Sequence, residues 1–203
     1  MLVNPALTGT APPPRLAQVE RFWLVWKARI LLLIGARKAA TEVFQVILHR
    51  APHDVLAHNS LAYGALQRGE HEVAHRYFEQ ALALSVRVSN AHFNLAFVAE
   101  LLGRLDEAEQ GFRAALALDD QMDRAWYGLG LVLVRQERLA EALGALRHNT
   151  QLQPLSPFGW YQMARVYVDL QQPEQAKAVI RHLKGFEPKV AAQLERETGL
   201  RLA

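Results

Sequence analysis

The chain has 203 residues, 51% of them hydrophobic, a formal net charge of +3 and no cysteine. So small a charge excess gives no electrostatic footprint for nucleic acid, and the absence of thiols excludes disulfide frameworks and thiolate chemistry. It also fits a reducing cytoplasm, which is the expected location.

Residues 1–14 include Pro12, Pro13 and Pro14, which cannot sit inside a helix, and are expected as a flexible tail. No basic stretch precedes an apolar core there, so no secretory signal is expected. A first long helix is expected over about residues 15–34. Its block FWLVWKARILLLI is apolar on every face, as in a helix that is buried all round or that binds something. Residues 22–34 would span about 20 Å against a hydrocarbon core of about 30 Å, so the block is too short to cross a bilayer. Phe22, Trp23, Trp26 and Ile30 are the candidate oligomer or partner surface. Arg15, Arg21, Lys27, Arg29, Arg37 and Lys38 also leave peripheral membrane contact open.

A partner helix follows over residues 37–50. Four more helical hairpins are then expected: 54–68 with 71–85, 88–102 with 105–118, 122–136 with 139–152, and 157–170 with 173–185. Asp54, Asn90, Asp106 and Ser156 suit N-cap or first-turn positions, and Pro157 and Pro173 suit the first turn. Residues 187–198 read as a solvating capping helix stopped by Gly199, and the domain division places the capping helix and tail at 191–203.

The pattern recurs every 34 residues. Ala40, Ala74, Ala108, Ala142 and Ala176 form one column. Ala28, Ala62, Ala96, Gly130 and Ala164 form a second, of small residues. Phe44, Phe78, Phe112, Leu146 and Ile180 form a bulky third. Gly35, Gly69, Gly103, Glu137 and Gln171 mark the turns. Small residues let helix backbones approach while bulky ones fill the groove opposite, which ties the spacing to packing. Lys27 breaks the column otherwise held by Leu61, Leu95, Leu129 and Met163.

These features resemble the tetratricopeptide repeat family. Trp126, Leu129, Gly130 and Leu133 carry the first part of its pattern, and Ala108, Phe112 and Ala115 the second. Pro52, Pro154 and Pro188 close repeats. The resemblance implies an all-α, right-handed α-solenoid of about five helix-turn-helix repeats, with a C-terminal capping helix. The array spans 15–190, with repeats at 21–54, 55–88, 89–122, 123–156 and 157–190.

It also implies that the first helices of successive repeats line a groove for a peptide or helix of a partner protein. Carried over by position, the lining includes Asn59, Tyr63, Asn90, Phe93, Phe97, Arg124, Tyr127, Arg135, Phe158, Tyr161 and Arg165. Aromatic residues supply contact area and arginines can fork onto carboxylates. The clamp with which some members hold acidic chaperone tails is matched only at Asn94 and Arg124. Tyr63 and Gly128 stand where an Asn and an Arg are needed.

His71, Glu72 and His75 match HExxH, in which two histidines one helical turn apart hold zinc and the glutamate acts as base. Ala74 belongs to the alanine column, however, so packing accounts for the segment, and no metal or cofactor is expected. His58 and His92 share a column with Trp126 and Trp160 and read as flat residues at the core edge. Gly128-Leu129-Gly130 lies within a helix and is no phosphate loop. The expected role is a non-enzymatic adaptor, scaffold or assembly chaperone, bacterial in style. The alternatives are an oligomeric or membrane-peripheral assembly protein using residues 22–34, and a zinc hydrolase.

Overall fold

The structure is a computed structural model and describes residues 16–200; the tail expected at 1–14 lies outside them. Among the described residues the fold is all-α. Its helices are α1 (Gln18–Leu33), α2 (Arg37–Arg50), α3 (Val55–Gln67), α4 (His71–Leu84), α5 (Ser89–Leu101), α6 (Leu105–Leu118), α7 (Asp123–Arg135), α8 (Leu139–Leu152), α9 (Pro157–Asp169), α10 (Pro173–Lys184) and α11 (Pro188–Thr198). They fall into two compact units, one holding α1–α4 and the other α5–α11.

The columns read in the sequence are buried. Ala74, Ala108, Ala142 and Ala176 are fully enclosed, as are Phe112, Leu146 and Ile180 of the bulky column. A methyl added to Gly130 would come within 2.8 Å of the Leu146 side chain, so these two backbones meet at a distance that suits glycine.

Each hairpin turns in the same way. Gly35, Gly69, Gly103, Glu137 and Gln171 adopt φ of +79°, +74°, +75°, +61° and +58°. The amide after each donates back to a carbonyl five residues earlier: Ala36 to Leu31, Glu70 to Ala65, Arg104 to Ala99, Arg138 to Leu133 and Gln172 to Tyr167. This left-handed closure satisfies a terminal carbonyl of the preceding helix. Glycine enters that region freely, whereas a side chain pays roughly 1–2 kcal/mol. Gly103→Ala is therefore expected to destabilise the protein by about 1–2 kcal/mol, and Glu137→Gly to stabilise it by up to about 1 kcal/mol. Urea midpoints of both variants check this, and the opposite order would refute the strained turn.

Helix starts follow local chemistry. Asp54 caps α3, its carboxylate accepting from the Ala57 amide at 3.0 Å. Pro157, Pro173 and Pro188 each occupy the first turn of a helix, and Gly199 at φ +70° ends α11. Asn90 and Asp106 lie in first turns, and Ser156 precedes α9 without a side-chain cap bond.

In the first unit, Val25 and Ala28 of α1 pack with Val43, Phe44 and Ile47 of α2 and with Ala57 and Leu61 of α3. Lys27, at the position that leucine or methionine holds in the other repeats, is exposed. The helix starts at Gln18 rather than near residue 15. Arg21 forks onto Asp54, and Arg50 forks onto Glu20. Two ion pairs thus join α1 to the end of α2 and to the cap of α3.

The second unit contains two clusters. One runs from Ala96 and Phe112 through Leu129 and Leu133 to Ala142, and the other from Leu146 through Met163 and Ile180 to Leu194 of α11. The residues read as flat core-edge groups have a further task. Trp126 Nε1 donates to the Asp120 carbonyl at 2.8 Å, and Trp160 Nε1 to the Pro154 carbonyl at 2.9 Å. His58 Nε2 lies 2.8 Å from the Pro52 carbonyl, and His92 Nε2 2.8 Å from the Val86 carbonyl. A carbonyl only accepts, so Nε2 carries the proton in both histidines. Each ring ties its helix to a carbonyl six residues back, in the loop that leads into that helix.

Candidate partner-binding groove

The second unit gathers the inner residues of α5, α7 and α9 around one cavity of about 290 Å³. Phe93, Phe97 and Glu100 come from α5, and Arg124, Tyr127 and Leu131 from α7. Phe158 of α9 stands at its edge. Their spacing of three and four puts each set on one face of its helix.

The walls are aromatic and held in place. Phe93 and Phe97 stack with ring centroids 6.3 Å apart. The Arg124 guanidinium lies 4.9 Å from the centre of the Phe93 ring, a cation–π arrangement. Phe97 is 39% exposed and Phe158 66%, so both offer apolar surface at the opening.

The floor comes from the second helices. Phe112 of α6 is fully buried in the core, yet its ring reaches the cavity beneath Gly128. A methyl on Gly128 would sit 2.5–2.9 Å from three atoms of that ring. Asn149 of α8 is buried, donates from Nδ2 to the Asp123 carbonyl at 2.9 Å, and lines the same space. Position-by-position carry-over reaches only first-helix residues, so it missed Phe112 and Asn149. The signal for Phe112 was Gly128, a position without a side chain above a bulky-column residue.

Two acidic residues line the cavity, Glu100 and Asp123. Burial pushes the Glu100 carboxyl above the usual range, and Arg135 pulls the other way. The Arg135 guanidinium is 3.8 Å from that carboxylate and donates to the Glu100 carbonyl at 3.0 Å. Arg135 therefore bears on the cavity through Glu100, and Asn90 is exposed outside its lining.

Tyr161 and Arg165 lie elsewhere. The Tyr161 hydroxyl donates to Glu197 of α11, and the Arg165 guanidinium is 6.0 Å from the Tyr161 ring. Arg165 and Glu197 share a separate cleft of about 340 Å³ with Val168, Asp169 and Thr198. In the first unit, Asn59 and Tyr63 line a cleft of about 690 Å³ with Arg21, Asp54 and Leu56. The Tyr63 ring meets Phe78 edge-on at 5.2 Å. Asn59 Oδ1 is buried there without a hydrogen-bond partner among the described residues.

In the HExxH segment, His71 opens α4, Glu72 is exposed and His75 is buried beside Ala74 and Phe78. Among the described residues, no three His, Cys, Asp or Glu side chains come together as metal ligands.

The architecture is that of a helical-repeat scaffold, a class that presents inner helix faces to other proteins and is in general not enzymatic. Models described as tetratricopeptide repeat match residues 59–123, 112–148 and 159–189. The chain belongs to the tetratricopeptide repeat family. No curated protein sequence matches it significantly.

Solved structures share the fold. YrrB, described as a TPR protein with an unusual peptide-binding site, superposes with a TM-score of 0.75 at 18% identity. That match covers 85% of this chain and 90% of YrrB. MamA (residues 41 to the end) from Desulfovibrio magneticus RS-1 gives 0.75 at 17% identity, over 90% and 98% of the two chains. PilF of Pseudomonas aeruginosa gives 0.68 at 21% identity, over 87% and 89%.

Proposed function

We propose that the second unit holds a peptide or helix of a partner protein, with an apolar side chain of the ligand seated between Phe97, Tyr127 and Phe158. The observation that carries this reading is the convergence of those residues and Arg124 on one aromatic cavity. Its volume is near the small end of the ligand-pocket range, about 300–1,000 Å³, and suits an anchoring side chain. Arg124 stands beside it to receive a carboxylate or a carbonyl of the ligand backbone. The peptide-binding site of YrrB makes the same use of this fold a reasonable precedent. The role is that of a non-enzymatic adaptor, scaffold or assembly chaperone in a bacterial cytoplasm.

The test is a pull-down from host lysate with the wild type and with Phe97→Ala/Tyr127→Ala. The captured partner's binding segment is then titrated against both proteins. Both side chains are partly exposed, so the variant should stay folded, as circular dichroism would verify. The affinity is expected to fall by about tenfold or more, as for buried aromatic anchors. A partner held equally by both proteins would refute the groove.

A further inference from the structure

We propose that the outer face of α1 is a docking surface for an anionic phospholipid bilayer. This rests on the first unit alone and is independent of the groove. Val19, Phe22, Trp23, Trp26, Ile30 and Leu33 are all exposed, Trp23 at 66% and Leu33 at 86%. Their spacing puts them on one side of the helix, across from the buried Val25 and Ala28. Together they offer on the order of 800 Å² of apolar surface, above the 300–600 Å² of the largest patch on a typical monomer.

The four tryptophans divide into two kinds. Trp126 and Trp160 donate their indole N–H to carbonyls. Trp23 and Trp26 have no such partner among the described residues and stand at the surface. A ring with one apolar body and one free N–H suits the boundary between headgroups and acyl chains.

The rim selects the occupant. Lys27 lies on one side of the stripe and Arg29 on the other, both exposed. Neither has a carboxylate partner among the described residues, whereas Glu20, the acidic residue of this helix, is held by Arg50. The rim is thus cationic and complements an anionic surface. Pairing two copies through this face would set like charges together, Lys27 near its own mate in an antiparallel pair and near the other copy's Arg29 in a parallel one. A peptide ligand would want a groove, but this face lies opposite the side that packs on α2 and α3, so it is a ridge. No described helix is long and apolar enough to cross a membrane, so the helix would lie in the interface plane.

The experiment is co-sedimentation of the full chain with vesicles of phosphatidylcholine alone, or with a quarter phosphatidylglycerol, alongside tryptophan emission. The expected result is about tenfold or greater preference for anionic vesicles, a blue-shifted emission and reversal by salt. Trp23→Ser/Trp26→Ser should lose about tenfold of the binding. Lys27→Glu/Arg29→Glu, at exposed polar positions that leave the core intact, should lose at least as much. Equal binding to both vesicle types, or binding unchanged in the charge-reversed variant, would overturn the proposal. So would a doubled mass in light scattering that vanishes in Trp23→Ser/Trp26→Ser without any vesicle binding, since a second copy would then be the occupant. Binding of an acidic helical peptide without vesicle binding would overturn it too.

Discussion

Phe112→Ala is expected to lower the stability of the second unit by about 3–5 kcal/mol, the range for deleting a buried aromatic ring. The ring is fully enclosed, lies at the centre of the core cluster from Ala96 to Ala145, and tilts against Phe93 at 5.8 Å. It also fills the space above which Gly128 has no side chain. Its removal opens a void that rigid helix backbones cannot close. Phe112→Leu is expected to cost only about 1–1.5 kcal/mol, as a conservative apolar swap does; Leu146 fills the same column in the next repeat. Urea unfolding of both variants gives the comparison. Equal losses would mean that ring shape, rather than filled volume, holds this site. The groove would respond as well, because the lost ring is the cavity floor.

Asp54→Ala is expected to cost about 2 kcal/mol, combining a lost N-cap of about 1 kcal/mol with a lost ion pair to a half-exposed arginine. Burial pushes the Asp54 carboxyl up, but Arg21 and the Ala57 and Leu56 amides outweigh it and hold the group below its usual value. The folded state therefore binds this proton less readily than the unfolded chain does. The stabilisation is complete above the unfolded value of about 4 and fades as pH falls through the folded value. Asp54→Asn keeps an acceptor for the Ala57 amide and removes the charge. It should fall between wild type and Asp54→Ala, and the contribution of this residue to acid sensitivity should vanish in both variants. Denaturation midpoints between pH 3 and 7 check the sign. A wild-type midpoint that does not fall relative to the variants in acid would refute the linkage.

The repeat was legible because packing constrains the same positions each time. Ala108 and Phe112 must fit between neighbouring backbones, so size is preserved at a fixed period. The turn column was legible through Gly35, Gly69 and Gly103, and Glu137 and Gln171 show that backbone geometry persists where the favoured residue is lost. The ring-to-carbonyl ties were less visible. His58 and Trp126 look unlike as residue types, yet both present an N–H at the same place. The candidate site was legible only in part. Phe93, Phe97, Arg124, Tyr127 and Phe158 meet at one cavity, whereas Tyr161 and Arg165 engage Glu197 of α11. A periodic pattern describes the repeats but does not say where a capping helix sets down its side chains. The outer face of α1 was recognisable as apolar all round, and the structure shows which half is covered.

Among the described residues, helices within each unit pack only on those one or two places away along the chain. Folding such a chain closes no long loop, so the entropy lost before the first stabilising contact is small. A hairpin such as α5–α6 can form from its own residues and then serve as the template for the next. The order of assembly is therefore set by which hairpin is locally strongest rather than by a search for distant partners.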